Sequence, residues 1–168
     1  MFSKGKQDVG PEFNVLFVCM GNICRSPTVE AVFRAALEQQ RLDDRIHVDS
    51  AGTGNWHVGS PPDPRAIQAA RRRGYDLTAL RARQFEVADF ARYGWILAMD
   101  EGNLRELEAI RPTAFTGHLG LLLEFVPELG VREVPDPYYG GREGFDHVLD
   151  LAEASAAALI RHLTTPSR

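Results

Sequence analysis

An apolar run near the start of the chain places the strongest constraint on the fold. Residues 13–19, FNVLFVC, are rich in Val and Phe, and Gly21 follows them closely. A short run of this composition is typical of a strand that is buried on both faces of a sheet. Helices must then cover both faces, so the run predicts the central first strand of an α/β fold.

Strands and helices alternate along the rest of the chain. Ser26 and Pro27 predict a helix start, with Ser as the N-cap and Pro at the first helical position. The strand RIHVDSAG precedes the helix DPRAIQAARRRG, which Asp63 caps and Gly74 ends. The strand GWILAMD precedes the helix EGNLRELEAI. These alternations favour right-handed crossovers and a parallel sheet with helices on both faces.

The C-terminal part of the chain predicts a further strand and a long helix. The segment HLGLLLEFVPELG fits either a short fourth strand or a helical turn, and we favour the strand. The last helix presents one apolar face at helical spacing. This face comprises Phe145, Val148, Leu149, Ala152, Ala156, Leu159, Ile160 and Leu163. We expect this helix to pack on the sheet.

Length and composition restrict the domain organisation and the class of partner. The chain has 168 residues, 44% of them hydrophobic, which is enough for one core. We expect a single domain over residues 13–163, a flexible segment over 1–12 and a tail over 164–168. No run reaches the about 18 apolar residues of a membrane span and no secretory signal is evident, so we expect a cytoplasmic protein that does not insert into membranes. A formal charge of −4 argues against nucleic-acid binding, which needs a concentrated basic face.

The loop between the first strand and the first helix carries the clearest chemical signal. It contains both cysteines of the chain, Cys19 and Cys24, followed by Arg25. Successive backbone N–H groups of such a loop can point inward, and the helix N-terminus adds about half a positive charge. A phosphate-like dianion therefore fits there. Besides Cys19 and Arg25, the residues predicted to form this site are Met20, Gly21, Asn22, Ile23, Cys24 and Ser26.

Three side chains of this loop fit phosphoryl transfer to sulfur. The positive field favours the thiolate of Cys19, which is the reactive nucleophile. Arg25 can bind two phosphoryl oxygens at once, and Ser26 can donate its hydroxyl to the Cys19 sulfur. A buried structural thiol would account for Cys19 but not for Arg25 and Ser26. The loop lacks the G-K-[ST] of a Walker loop and an evident set of magnesium ligands, so we predict no metal.

Hydrolysis of a phosphate monoester also needs an acid for the departing oxygen. Loops that leave neighbouring strands of a parallel sheet meet at one edge, and EVPDPYYGG offers Asp136 there between two prolines that restrain the backbone. An Asp-Pro pair is also typical of a plain turn. However, Tyr138, Tyr139 and Trp56 are candidates for the aromatic sides of a groove, which would suit an aromatic leaving group.

These motifs resemble those of the low-molecular-weight protein tyrosine phosphatases, in the same order and over nearly the whole chain. The matching pieces are VCMGNICRSPTVEAVF, VDSAGTGNWH, RARQF, AMDEGNLREL and DPYYGG. The resemblance implies a three-layer, flavodoxin-like (Rossmann-like) phosphotyrosine phosphatase I fold, with a four-stranded parallel twisted sheet flanked by helices on both faces. It also implies metal-independent hydrolysis of phosphotyrosine through a cysteinyl-phosphate intermediate, with no cofactor.

The resemblance assigns a role to each main candidate. Cys19 would be the nucleophile, Arg25 would bind the phosphate, and Asp136 would be the general acid and later the base. Asn22 and Ser50 would brace the loop, with Asn22 in an unusual backbone conformation, which Asn tolerates better than most residues.

Other matched positions carry two interpretations each. Asp100 would organise the edge of the active site, but it also immediately precedes a helical segment and fits a helix cap. Cys24 would form a reversible disulfide with the nucleophile and guard it from irreversible oxidation, or would only pack under the loop. Arg73 stands where some relatives carry a His linked to the loop, so the brace there would be replaced or shortened. The residues that would line the substrate groove are Trp56, Tyr138 and Tyr139.

Two other functions share parts of this pattern. A thioredoxin-coupled arsenate reductase has this fold and loop, but it passes a disulfide to cysteines outside the loop, and the chain has none there. A non-catalytic phosphotyrosine-binding module would be expected to lack the nucleophile, the Arg or the acid. The expected partner is therefore a phosphotyrosine protein, and the bacterial branch of the family suggests a tyrosine autokinase of polysaccharide export.

Overall fold

The computed structural model describes residues 10–166 and contains a sheet of four parallel strands. The strands are β1 (Phe13–Cys19), β2 (Ile46–Gly52), β3 (Trp95–Ala98) and β4 (His118–Leu121), in the spatial order β2-β1-β3-β4. Strand β1 pairs with β2 on one side and with β3 on the other. The predicted parallel sheet with a central first strand is confirmed. Most of the predicted flexible segment 1–12, and the end of the predicted tail 164–168, lie outside the described residues.

Helices cover both faces of the sheet and form two core layers. The α-helices of the described residues are α1 (Arg25–Gln39), α2 (Pro64–Arg72), α3 (Asp89–Arg92), α4 (Glu101–Ala109) and α5 (Arg142–Thr164). Val15 and Phe17 of β1 pack in the layer with α1, α2 and α5, whereas Leu16 and Val18 pack in the layer with α3 and α4. All four side chains are fully buried, as expected for a strand with helices on both sides.

The structure corrects the predicted start of α1. The helix begins at Arg25 and its N-cap residue is Cys24, whereas Ser26 was the predicted cap. The Ser26 hydroxyl is engaged elsewhere, because it lies 3.0 Å from the Cys19 Sγ and accepts a hydrogen bond from Asn22. The serine that predicts a helix cap therefore makes its side-chain contacts within the phosphate-binding loop instead.

The other predicted element ends agree more closely. The Asp63 side chain caps α2, and Gly74 follows that helix with a φ of 87°. In the segment HLGLLLEFVPELG only β4 is a strand, and two short 3-10 helices follow it, Leu122–Phe125 and Pro127–Leu129. The predicted strand is thus right for the first residues and wrong for the rest. Proline has no N–H to continue a strand ladder, and this favours the turn at Pro127.

The long C-terminal helix packs as its apolar face predicted. All eight residues of that face are buried, and they lie in the core layer with α1 and α2. Among the helices of residues 10–166, none combines the length and the apolar composition needed to cross a membrane.

Candidate active site

The loop after β1 has the shape that an anion-binding turn requires. It joins Cys19 at the end of β1 to Arg25 at the start of α1. Asn22 has a φ of 58°, the left-handed conformation that the resemblance implied. Its backbone N–H donates to the Cys19 Sγ at 3.3 Å. The turn therefore directs a backbone donor at the sulfur.

Two glycines allow the loop to pack closely against its neighbours. A Cβ on Gly52, the last residue of β2, would lie 2.6 Å from the Met20 carbonyl oxygen. A Cβ on Gly21 would lie 3.0 Å from the His57 side chain. The Met20 carbonyl also accepts a hydrogen bond from the Gly54 N–H at 2.9 Å. The loop thus depends for its position on the end of β2 and on the segment that follows it.

A continuous chain of buried hydrogen bonds leads from a carboxylate to the Cys19 sulfur. The Ser50 hydroxyl donates to Glu30 Oε1 at 2.7 Å, and Asn22 Nδ2 donates to Ser50 Oγ at 2.9 Å and to Ser26 Oγ at 2.8 Å. Ser26 Oγ lies 3.0 Å from Cys19 Sγ. Because Asn22 Nδ2 is a donor only, Ser26 Oγ accepts from it and can donate its own proton. The Cys19 sulfur lies at 3.0 Å from Ser26 Oγ, and the other acceptor, the Ala51 carbonyl oxygen, lies farther away at 3.5 Å.

Arg25 is buried, with one of its nitrogens fixed. NH1 donates to Asp100 Oδ2 at 2.6 Å and to the Val134 carbonyl at 3.0 Å, while NH2 lies 3.9 Å from Asp136 Oδ2. Burial disfavours the cation, but Cys19 and the Asp100 carboxylate outweigh it and raise the pKa of Arg25. The guanidinium is therefore permanently charged, and it is anchored on the side of NH1.

Asp136 lies across a cavity of about 330 Å³ from the phosphate-binding loop. Its side chain is 40% exposed, and its Oδ1 accepts a hydrogen bond from the Tyr138 N–H at 3.1 Å. The residues that line the cavity are Cys19, Met20, Gly21, Ile23, Cys24, Arg25, Trp56, His57, Asp136, Tyr138 and Tyr139. The structure thus brings the sequence-predicted nucleophile, arginine and acid together around one space.

Aromatic side chains form the mouth of this cavity. Trp56 is 71% exposed, Tyr138 is 40% exposed and Tyr139 is 92% exposed. The rings of Tyr138 and Tyr139 meet edge to face, with centroids 5.0 Å apart. Rings exposed to this extent add little to the core, so they are available to contact a ligand.

Cys24 lines the same cavity but differs in character from an activated thiol. It is a free cysteine and is buried at the N-cap position of α1. Burial, followed by the nearby Asp63 carboxylate, raises the pKa of Cys24 to about 12. Its thiol therefore stays protonated at neutral pH.

Asp100 and Arg73 have well-defined contacts in the structure. Oδ1 of Asp100 accepts from the Asn103 N–H at 2.7 Å as the N-cap of α4, and Oδ2 accepts from Arg25. Arg73 donates instead to Glu153 on α5 and pairs with Asp150 at 2.8 Å. It therefore has no part in the brace of the loop.

Sequence reasoning missed two residues that support the loop. Glu30 accepts the hydrogen bond from Ser50, and burial raises its pKa although Ser50 and Arg34 oppose that rise. The Arg83 N–H donates to Asn22 Oδ1 at 3.0 Å. The sequence did point to Glu30, because it stands next to Val29 in the buried part of α1 and a buried carboxyl group needs a hydrogen-bond partner.

Comparisons with known proteins identify a family and relatives that are similar to this chain in sequence and in fold. The family model described as low molecular weight phosphotyrosine protein phosphatase matches residues 14–167. A low molecular weight protein-tyrosine-phosphatase of Streptomyces coelicolor is 44% identical over 151 residues, which are 88% of this chain and 92% of that protein. One from Schizosaccharomyces pombe is 44% identical over 132 residues, 78% of this chain and 84% of that protein. The crystal structure of YfkJ from Bacillus subtilis superposes with a TM-score of 0.85 at 37% identity and covers 92% of this chain and 96% of its own.

Proposed function

The chain belongs to the low molecular weight phosphotyrosine protein phosphatase family and is a protein-tyrosine phosphatase, and from this premise we propose the roles of its residues. Cys19 is the nucleophile, Arg25 binds the phosphoryl group, and Asp136 is the general acid. The observation that carries the proposal is the placement of these three residues around one cavity, with hydrogen-bond donors directed at the Cys19 sulfur.

In the first step the Cys19 thiolate attacks the phosphorus of an aryl phosphate. The S–P bond forms and the bond from phosphorus to the aryl oxygen breaks, while Asp136 gives its proton to that oxygen. The Arg25 NH1 is tied to Asp100 and Val134, which leaves the NH2 side of the guanidinium toward the cavity for the phosphoryl oxygens.

In the second step water hydrolyses the cysteinyl phosphate. The Asp136 carboxylate takes a proton from the water, whose oxygen attacks phosphorus, and the S–P bond breaks to return the thiolate. The Ser26 hydroxyl and the Asn22 N–H stabilise the sulfur as its negative charge returns. The same two donors therefore assist Cys19 as nucleophile and as leaving group.

Phosphotyrosine proteins are the substrate class that this cavity fits best. The exposed rings of Trp56 and Tyr138 stand at its mouth, where the aryl group of the substrate would lie. Because Arg25 and the backbone donors supply the positive charge, the reaction needs no metal and no cofactor. We further propose that the substrates include a tyrosine autokinase of polysaccharide export, and that the enzyme works in the cytoplasm, where a reducing environment keeps Cys19 free.

Cys24 is the proposed redox guard of the nucleophile. Peroxide converts the Cys19 thiolate to a sulfenic acid, and the Cys24 thiol then displaces water from it to form a disulfide that an added thiol reduces. The high pKa of Cys24 keeps its thiol protonated, so the disulfide forms more slowly than it would with a thiolate.

The proposed roles are tested by hydrolysis of phenyl phosphate and of a phosphotyrosine peptide in the presence of EDTA. Wild type should be active with the chelator, and Cys19→Ser should be inactive on both substrates. Asp136→Ala should lose about 10²-fold or more on phenyl phosphate and less on p-nitrophenyl phosphate, whose leaving group needs little protonation. Activity that survives in Cys19→Ser, or equal losses on both esters in Asp136→Ala, would contradict the assigned roles.

A further inference from the structure

We propose that Arg65 is a positioning residue that fixes the acid loop, residues 135–139, against the phosphate-binding loop. This inference rests on the proposed function, in which Asp136 of the acid loop is the general acid. Arg65 itself does not line the catalytic cavity. Its effect on the reaction would pass through Tyr138.

The Arg65 guanidinium is held firmly for a side chain that is 44% exposed. Its Nε donates to Asp63 Oδ1 at 3.1 Å and its NH2 donates to Asp63 Oδ2 at 2.9 Å, which is a bidentate pair. Asp63 is itself buried, and its backbone N–H donates to the Ile23 carbonyl of the phosphate-binding loop at 2.8 Å. The cation is therefore fixed relative to that loop.

Two aromatic rings lie against the fixed cation. The Arg65 guanidinium carbon is 5.3 Å from the centre of the Tyr138 ring and 4.8 Å from the centre of the Phe145 ring. Phe145 belongs to the buried face of α5, so one ring is part of the core while the other is part of the acid loop. Contacts of this kind attract an arginine to the face of each ring. Arg65 thus connects the acid loop to rigid structure on two sides.

The acid loop has few other connections to the phosphate-binding loop. The backbone hydrogen bonds on either side of Asp136, within residues 10–166, run from the Val134 N–H to Met99 and from the Gly140 N–H to Pro137. Asp136 approaches Arg25 only at 3.9 Å. Its firm hydrogen bond comes from the Tyr138 N–H, two residues along the loop. The position of Tyr138 therefore helps to determine where the acid stands, together with the buried Pro137 and the Val134 carbonyl that Arg25 holds.

The ratio of kcat/KM for p-nitrophenyl phosphate to kcat/KM for phenyl phosphate tests this inference. A displaced acid penalises the poorer leaving group, whereas a smaller folded fraction lowers both rates equally and leaves the ratio unchanged. In Arg65→Met the ratio should rise about two- to fivefold. Competitive inhibition by inorganic phosphate, which reports on the phosphate-binding loop, should stay within about twofold of wild type.

A matched control is Arg45→Met. Arg45 is 46% exposed and also donates twice to one carboxylate, that of Glu12. It lies at the amino end of β2, whereas the phosphate-binding loop follows the carboxyl end of β1. The ratio in this control should equal that of wild type. In the double variant Arg65→Met/Tyr138→Leu the ratio should be no higher than in Tyr138→Leu, because Arg65 acts through the ring.

The outcomes separate this inference from the function on which it rests. An unchanged ratio in Arg65→Met, or additive effects in the double variant, would overturn the role of Arg65 while wild type still hydrolyses both esters. Wild type that fails to hydrolyse phenyl phosphate, or activity that survives in Cys19→Ser, would instead refute the proposed function.

Discussion

Asp100 performs two tasks with its two carboxylate oxygens, and they can be separated by mutation. One oxygen caps α4 through the Asn103 N–H, and the other pairs with Arg25. Asp100→Ser keeps a side-chain acceptor for the cap but places nothing against Arg25. Asp100→Ala removes both. The difference between the two variants therefore isolates the cap, and the difference between wild type and Asp100→Ser isolates the ion pair.

The structure gives the expected magnitudes. The Arg25 side chain is 3% exposed and that of Asp100 is 23% exposed, so their hydrogen bond is charge-assisted and only lightly screened. Such bonds contribute about 1.5–3 kcal/mol, and Arg25 keeps its bond to Val134 in the variants, so we expect Asp100→Ser to lower the free energy of unfolding by about 2 kcal/mol. Loss of an N-cap costs about 1 kcal/mol, which gives about 3 kcal/mol for Asp100→Ala.

Urea unfolding and inhibition by inorganic phosphate measure the two tasks independently. Stability should fall in the order wild type, Asp100→Ser, Asp100→Ala. Both variants should weaken phosphate inhibition of p-nitrophenyl phosphate hydrolysis by about tenfold and to the same extent, because both lose the contact that orients Arg25, whereas the cap of α4 does not reach the phosphate. The reasoning is refuted if Asp100→Ser is as stable as wild type, or if phosphate inhibition weakens further from Asp100→Ser to Asp100→Ala.

Two further predictions concern buried groups of the loop support. Burial raises the pKa of Glu30, so the stability that its neutral form contributes is fully present below about pH 4, the unfolded-state value, and is lost as pH rises through the folded-state pKa. In urea unfolding between pH 5 and pH 8, the free energy of unfolding of Glu30→Gln should therefore rise relative to that of wild type as the pH rises. Glu38→Gln, at an exposed position of the same helix, should show the same pH dependence of stability as wild type. For Cys24, activity lost to mild peroxide should return with added thiol in wild type but poorly in Cys24→Ser; equal recovery would exclude a protective disulfide.

The sequence was informative where the chemistry is local. Cys19, Asn22 and Arg25 lie within seven consecutive positions between a strand and a helix, so the geometry of those two elements determines how they face one another. Asp136 was also predictable despite its distance in sequence, because a parallel sheet brings the loops at its carboxyl edge together. In both cases the residues could be placed near one another from general rules of backbone geometry, without knowing the individual side-chain contacts.

The residues that the sequence did not reveal depend on contacts between separate elements. Arg83 could be placed beside Asn22 only when the segment after α2 was seen to return to the loop, where its side chain pairs with Asp49 and with the buried Asp89. The start of α1 was wrong for a related reason. A Ser before a Pro is a strong cap signal, but the structure shows the other contact predicted for Ser26, that with the Cys19 sulfur, together with a hydrogen bond from Asn22 that the sequence did not reveal.

The charges around the cavity bear on how the proposed phosphate-binding residues act. Arg25 is already paired with Asp100, whose carboxylate offsets the charge of the guanidinium. The side chains alone therefore offer little net positive charge to a dianion. The first turn of α1 contains no acidic residue, so its N-terminus keeps the full positive end of the helix dipole, worth about half a charge, beside Cys19. Phosphate binding is therefore expected to rest as much on the helix N-terminus and the loop backbone as on Arg25. This gives a reason for the hydrogen bonds that fix the left-handed residue Asn22: its side chain donates to Ser50, which donates in turn to Glu30, and it accepts from the Arg83 N–H.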